Sequence, residues 1–163
     1  MTTTTLNRPA HPVARRAVGW WMLQSTAVAL PVFAGLAALG WFVEATRPYL
    51  TVAAVLATLF WLVGLLVEPF WRFRVHRWET TTTAVYARTG WLVREWRAAP
   101  LSRIQTVDAT QGPLEQLLGL STLKVTTASS TGAVEISGLS KETADRVAQE
   151  LAEIAELTPG DAT

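Results

Sequence analysis

VGWWMLQSTAVALPVFAGLAALGWFV, residues 18–43, runs for 26 residues without a charge, and its reading decides what kind of protein this is. At about 1.5 Å of rise per residue it exceeds the roughly 20 residues that cross a hydrocarbon core of about 30 Å. After a five-residue connector, YLTVAAVLATLFWLVGLLV, residues 49–67, is a second uncharged run of 19. A secretory signal would carry an apolar core of only about 7–15 residues and then a small-residue cleavage site. A longer run followed at once by a second one reads instead as a hairpin of two transmembrane helices. Trp20 and Trp21 open the first span and Trp41 and Phe42 close it; Tyr49 opens the second and Phe70 and Trp71 close it. Trp20 to Trp41, and Tyr49 to Phe70, each cover about 31 Å of helix, so the rings form two girdles at headgroup level.

Lysine and arginine near the span ends set the orientation. Arg8, Arg15 and Arg16 precede the first span, Arg72, Arg74 and Arg77 follow the second, and the connector Glu44 to Pro48 carries Arg47 alone. Both termini are therefore expected on the cytoplasmic side of a bacterial plasma membrane, with the tight connector outside. The same arginines also suit an anionic-lipid patch, but topology explains them without a further assumption. Neither span has an ionisable side chain in its middle, which argues against a transporter or channel made by this chain alone. Ala27, Ala34, Gly35 and Ala38 on the first span, and Ala53, Ala57 and Gly64 on the second, permit close helix approach. Pro31 is a candidate kink.

Residues 18–71 hold three charges, Glu44, Arg47 and Glu68, and the composition changes beyond them. The expected organisation is a tail over 1–17, the hairpin over 18–71, a soluble domain over 72–158 and a tail over 159–163. Arg72 to Thr83 is rich in Trp, Val and Thr and reads as a strand leaving the membrane directly. Ala84 to Arg88 and Trp91 to Ala98 read as a hairpin about Thr89-Gly90. Leu101 to Thr110 reads as a strand, Gln111-Gly112-Pro113 as a turn, and Leu114 to Leu120 as a compact apolar segment. Leu123 to Ala128 and Ala133 to Ser137 read as a last strand pair joined by Ser129-Ser130-Thr131-Gly132. Ser140 then caps a helix whose Ala144, Val147, Ala148, Leu151, Ile154 and Ala155 form one apolar stripe, stopped by Pro159-Gly160. About six strands followed by one amphipathic helix make an α+β domain, with the helix covering an open side of a curved sheet.

Residues 72–157 resemble the second class of bacterial pleckstrin-homology (PH)-like domains, in the membrane-anchored arrangement of YdbS-like proteins. The stretch that carries the likeness runs from Pro100-Leu101-Ser102-Arg103-Ile104-Gln105-Thr106-Val107-Asp108 through Gln111-Gly112-Pro113-Leu114-Glu115 to Leu118-Gly119-Leu120. Thr122-Leu123-Lys124-Val125 and Ile136-Ser137-Gly138-Leu139 add to it. The resemblance implies a seven-stranded barrel-like antiparallel sheet capped by the C-terminal helix, and no enzymatic activity. It implies a membrane-anchored interaction or scaffold module beside other membrane proteins, a larger relative with several such domains or a second copy, with an envelope-related role.

The residues themselves offer no catalytic constellation, cofactor motif or metal set. There are no cysteines, and the two histidines have no partnered nucleophile or carboxylate cluster; His11 lies in the polar tail, and His76, in the first strand among arginines, reads as a surface or interfacial side chain. No glycine loop with a lysine offers a phosphate site. The remaining signal is electrostatic. Residues 72–103 carry seven arginines against Glu79 and Glu95, whereas residues 104–163 carry three bases against nine acids. Arg88, Arg94 and Arg97 are the candidate lipid or partner surface. The pattern fits either a solvated sheet beside a solvated helix or a basic sheet near an anionic leaflet. Nucleic-acid binding is not expected, because the acids nearly cancel the bases and no stacking motif is present. An anionic-lipid or headgroup module is thus the alternative to the interaction module. Thr80-Thr81-Thr82-Thr83 lacks the cationic cluster that it needs between its first two strands.

Overall fold

The computed structural model of the chain describes residues 9–128 and 132–157. Arg8, the Ser129-Ser130-Thr131 turn and the Pro159-Gly160 stop lie outside these residues, as do the side chains of Ala155 and Glu156. A two-residue strand β1 (His11–Pro12) leads into α1 (Arg16–Phe42), and a short 3-10 turn (Glu44–Thr46) reverses the chain into α2 (Arg47–Leu66). α1 and α2 are both long and apolar enough to cross a bilayer. Pro31 lies inside α1 without ending it. In the connector Arg47 pairs with Glu44 at 3.0 Å and donates to the Gly40 carbonyl at 3.1 Å, closing the turn. The helices approach where side chains are small, since a Cβ on Gly64 would stand 2.9 Å from Ser25 Oγ.

A helix follows the second span where the sequence suggests a strand. α3 (Glu68–Val75) sits beyond a break at Val67, and β2 covers only Arg77–Thr80. The arginines, aromatics and valine of 71–75 read as strand by propensity, but stronger helix determinants act together. Glu68 and Pro69 occupy the first turn, Arg72 and Arg74 the last, and Arg72 bonds back to Glu68 at 3.1 Å.

The remaining elements are β3 (Ala84–Gly90), β4 (Arg94–Pro100), β5 (Ile104–Thr110), α4 (Pro113–Leu118), β6 (Leu120–Thr127), β7 (Val134–Ser140) and α5 (Lys141–Leu157). They form two antiparallel sheets, ordered β1-β2-β3-β4 and β5-β6-β7. The β3–β4 turn lies at 91–93, later than expected. Gly90 begins it at φ 97°, and a Cβ there would collide with the Val93 carbonyl oxygen. The apolar segment after Gln111-Gly112-Pro113 is helical: Glu115 is buried, accepting from the Gly112 amide and from Thr122 Oγ1, both at 2.7 Å. Leu101–Arg103 is a 3-10 turn rather than part of β5.

The two sheets and α5 share one core. Val85, Ala87 and Ala99 come from the first sheet, Leu123, Val125, Ile136 and Leu139 from the second, and Ala144, Val147 and Leu151 from α5. Ser140 Oγ accepts from the Thr143 amide at 3.2 Å, capping α5 where expected. A hydrogen bond from its own backbone amide, and after it one from Ser140, hold the exposed Glu142 carboxyl below its usual range.

The seventh strand comes from the other side of the hairpin. Residues 9–17, expected to be a tail, lie against the domain. His11 pairs with Trp78 in register, and the Ala14 amide donates to the Gly138 carbonyl at 2.9 Å. Val13, Ala17 and Trp21, spaced by four, are all buried in the shared core. The base of α1 is thus a wall of the domain. Trp21 packs inside the protein at 3% exposure, while Trp41, Phe42 and Tyr49 at the far end of the hairpin stand about 80% exposed as girdle residues should.

Candidate functional site

At the junction of hairpin and domain, α1 and α3 bring four side chains together. The Arg72 guanidinium lies 4.9 Å from the Trp21 ring centroid and pairs with Glu68. The His76 ring lies 5.2 Å from Trp21 on a tilted plane. His76 Nδ1 is 3.0 Å from the Arg72 carbonyl; the carbonyl can only accept, so Nδ1 carries the proton. Burial first, and the Arg72 charge second, push the imidazole down from 6.5 to about 4, against a smaller opposing effect of the carbonyl bond. His76 is therefore neutral at physiological pH and buried at 4% exposure, contrary to its reading as a surface or interfacial strand residue. The α3 turn, which propensity did not suggest, carries it into the core. This cluster is structural: it closes the end of α3 and joins the spans to the sheet.

The three candidate arginines do not converge. In the β3–β4 register Arg88 stands opposite Trp96, and Arg94 opposite Gly90, so Arg88, Arg94 and Trp96 share the outer face of the sheet. Arg88 lies 4.9 Å from the Trp96 centroid. Arg97 stands opposite Ala87, whose side chain is in the core, so it belongs to the other face. It pairs with Glu95 at 3.0 Å and donates through Nη1 to the Ala133 carbonyl, also at 3.0 Å.

That last bond crosses a cleft in the domain. Among the described residues, β4 pairs with β3 and β7 with β6, and neither pairs with a further strand. These two sheet ends face each other across a cleft of about 360 Å³ lined by Glu95 to Ala98 on one side and Gly132 to Val134 on the other. Six of the seven residues of β4 are exposed. An end strand with free backbone groups accepts a further strand. The cleft thus offers two strand ends for main-chain pairing and a charged pair in Arg97 and Glu95. Among the described residues no three His, Asp or Glu side chains gather at metal-binding distance. Sequence reading reached Arg97 as a charge but not the cleft, because strand order places the two walls together from segments more than thirty residues apart.

Two apolar helices, two antiparallel sheets and a capping C-terminal helix are the architecture of a membrane-anchored PH-like protein. Residues 25–155 match the Bacterial PH domain family, and the chain belongs to it. The match takes in most of the hairpin as well as the domain. The chain is similar to the UPF0699 transmembrane protein YdbS of Bacillus subtilis (strain 168), with 29% identity over 157 residues that cover 94% of this chain and 98% of the relative. No solved structure matches. The protein is thus a membrane protein of YdbS-like arrangement.

Proposed function

We propose that the protein is a non-enzymatic interaction module of the bacterial plasma membrane, with both termini and the PH-like domain cytoplasmic, and that it scaffolds other membrane proteins by taking an extended partner segment into the β4–β7 cleft. The facing sheet ends carry this reading. An added strand pairs its backbone with β4 and displaces the Arg97 bond to Ala133, while Arg97 and Glu95 read its side chains. The alternative, recognition of an anionic headgroup, finds less support, because Arg88 and Arg94 lie on one face and Arg97 on the other. The orientation draws its support from the arginine asymmetry about the spans.

A photocrosslinking residue placed at Ala98 or Ala133 in the full chain, in native membranes, tests the cleft. A discrete crosslinked membrane protein is expected from both positions, and not from Asp145 on the exposed side of α5. Crosslinks confined to lipid, or the same product from Asp145, would overturn the proposal.

A further inference from the structure

The β3–β4 turn is built from Trp91, Leu92 and Val93, whereas turns facing water favour Gly, Asn, Asp and Ser. Leu92 is 77% exposed and Val93 74%. Their position explains them. Trp71, which ends the aromatic run after the second span, donates through Nε1 to the Trp91 carbonyl at 3.0 Å. Trp91 also lines, with Val28, Val32, Phe60 and Val63, a groove of about 670 Å³ between α1 and α2. The tip therefore stands where the spans leave the hydrocarbon. Leu114 of α4 lines the same groove, and Leu117, one turn further on, is 77% exposed. The exposed Arg94 stands directly behind the tip, opposite Gly90. An apolar point with a cation behind it suits the boundary between acyl chains and headgroups.

We infer that Trp91-Leu92-Val93 is embedded in the interface of the leaflet from which the domain emerges, with Leu117 as a second point of entry. The occupant of this surface is lipid, because the tip is continuous through Trp71 and Trp91 with the lipid-facing surface of the spans. With the two helix stems, these contacts fix the tilt of the domain on the membrane. The inference stands independently of what enters the β4–β7 cleft.

The chain has no cysteine, so single-cysteine variants report directly. Leu92→Cys, Leu117→Cys and Thr82→Cys would each carry an environment-sensitive fluorophore on the full chain in phosphatidylcholine–phosphatidylglycerol vesicles. Thr82 is exposed in the turn at the opposite end of β3, about 20 Å of strand away. Labels at 92 and 117 should be quenched several-fold more by lipid-borne nitroxide than by aqueous iodide, and the label at 82 the reverse. A label at 92 as open to iodide as that at 82 would overturn the inference. So would a label at 92 shielded from both quenchers in a manner that grows with protein density, since a second copy would then cover the tip.

Discussion

Gly138 is where the hairpin locks onto the domain, and replacing it measures that lock. Its φ is +78°, and an added Cβ would stand 2.8 Å from Ala17 Cβ and 3.9 Å from both Trp21 and Val13. A side chain in the left-handed region costs about 1–2 kcal/mol. Carbon atoms prefer roughly 3.5–4.0 Å, so β7 and the base of α1 must move apart by close to an ångström, and such overpacking costs about 1–3 kcal/mol more. Gly138→Ala should therefore lower the unfolding free energy by roughly 2–5 kcal/mol. Gly132 has a similar φ of +79° with nothing within 4 Å, so Gly132→Ala should show the backbone cost alone. Ala17→Gly removes the atom that the new methyl meets. The Ala17→Gly/Gly138→Ala pair should recover about 1–3 kcal/mol as coupling in a double-mutant cycle. Denaturant unfolding of the full chain in mild detergent, followed by tryptophan fluorescence, reads the wild type and all four variants. If Gly138→Ala falls no further than Gly132→Ala, or the pair is additive, α1 does not pack on β7 as described.

Leu151 is 1% exposed on the inner stripe of α5, so Leu151→Ala should cost about 2–5 kcal/mol, whereas Glu150→Ala on the exposed side should stay within about 0.5 kcal/mol. The comparison belongs in the full chain, because a 72–163 fragment lacks the core residues Val13, Ala17 and Trp21; equal effects would mean that α5 is not docked. His76 makes stability depend on pH. Its pKa is 6.5 unfolded and about 4 folded, so between these values the unfolded chain binds the extra proton. The contribution is present above pH 6.5 and is lost as pH falls towards 4, up to about 3 kcal/mol. Unfolding measured at pH 7 and pH 4.5 should show this loss, and His76→Gln should flatten it; identical slopes would refute the buried neutral imidazole.

The spans were legible because the absence of charge over 26 and 19 residues leaves few alternatives. The last helix was legible because its stripe, Ala144 to Ala155, repeats over about three turns. The arm was not. Val13, Ala17 and Trp21 have helical spacing, but a tryptophan opening an apolar run also fits a girdle, and only the tertiary fold shows that it faces protein. α3 was missed because Arg72-Phe73-Arg74-Val75 alternates like a strand, while the helix signal lies just upstream in Glu68-Pro69 and is easily read as the end of the span. Of the candidate site, the charge of Arg97 was visible and its separation from Arg88 and Arg94 follows from strand parity once the turn is placed at 91–93. The cleft required the pairing of both sheets, which no local pattern encodes.

The proposed cytoplasmic interaction module depends on the side of the membrane the domain occupies. Cysteine at Ala45, exposed in the connector, and at Thr82, exposed on the domain, can be labelled in intact cells with a maleimide that does not cross the membrane. Ala45→Cys should label in intact cells, and Thr82→Cys only after permeabilisation. Labelling of Thr82→Cys in intact cells, with Ala45→Cys protected, would place the domain outside and contradict a cytoplasmic interaction module.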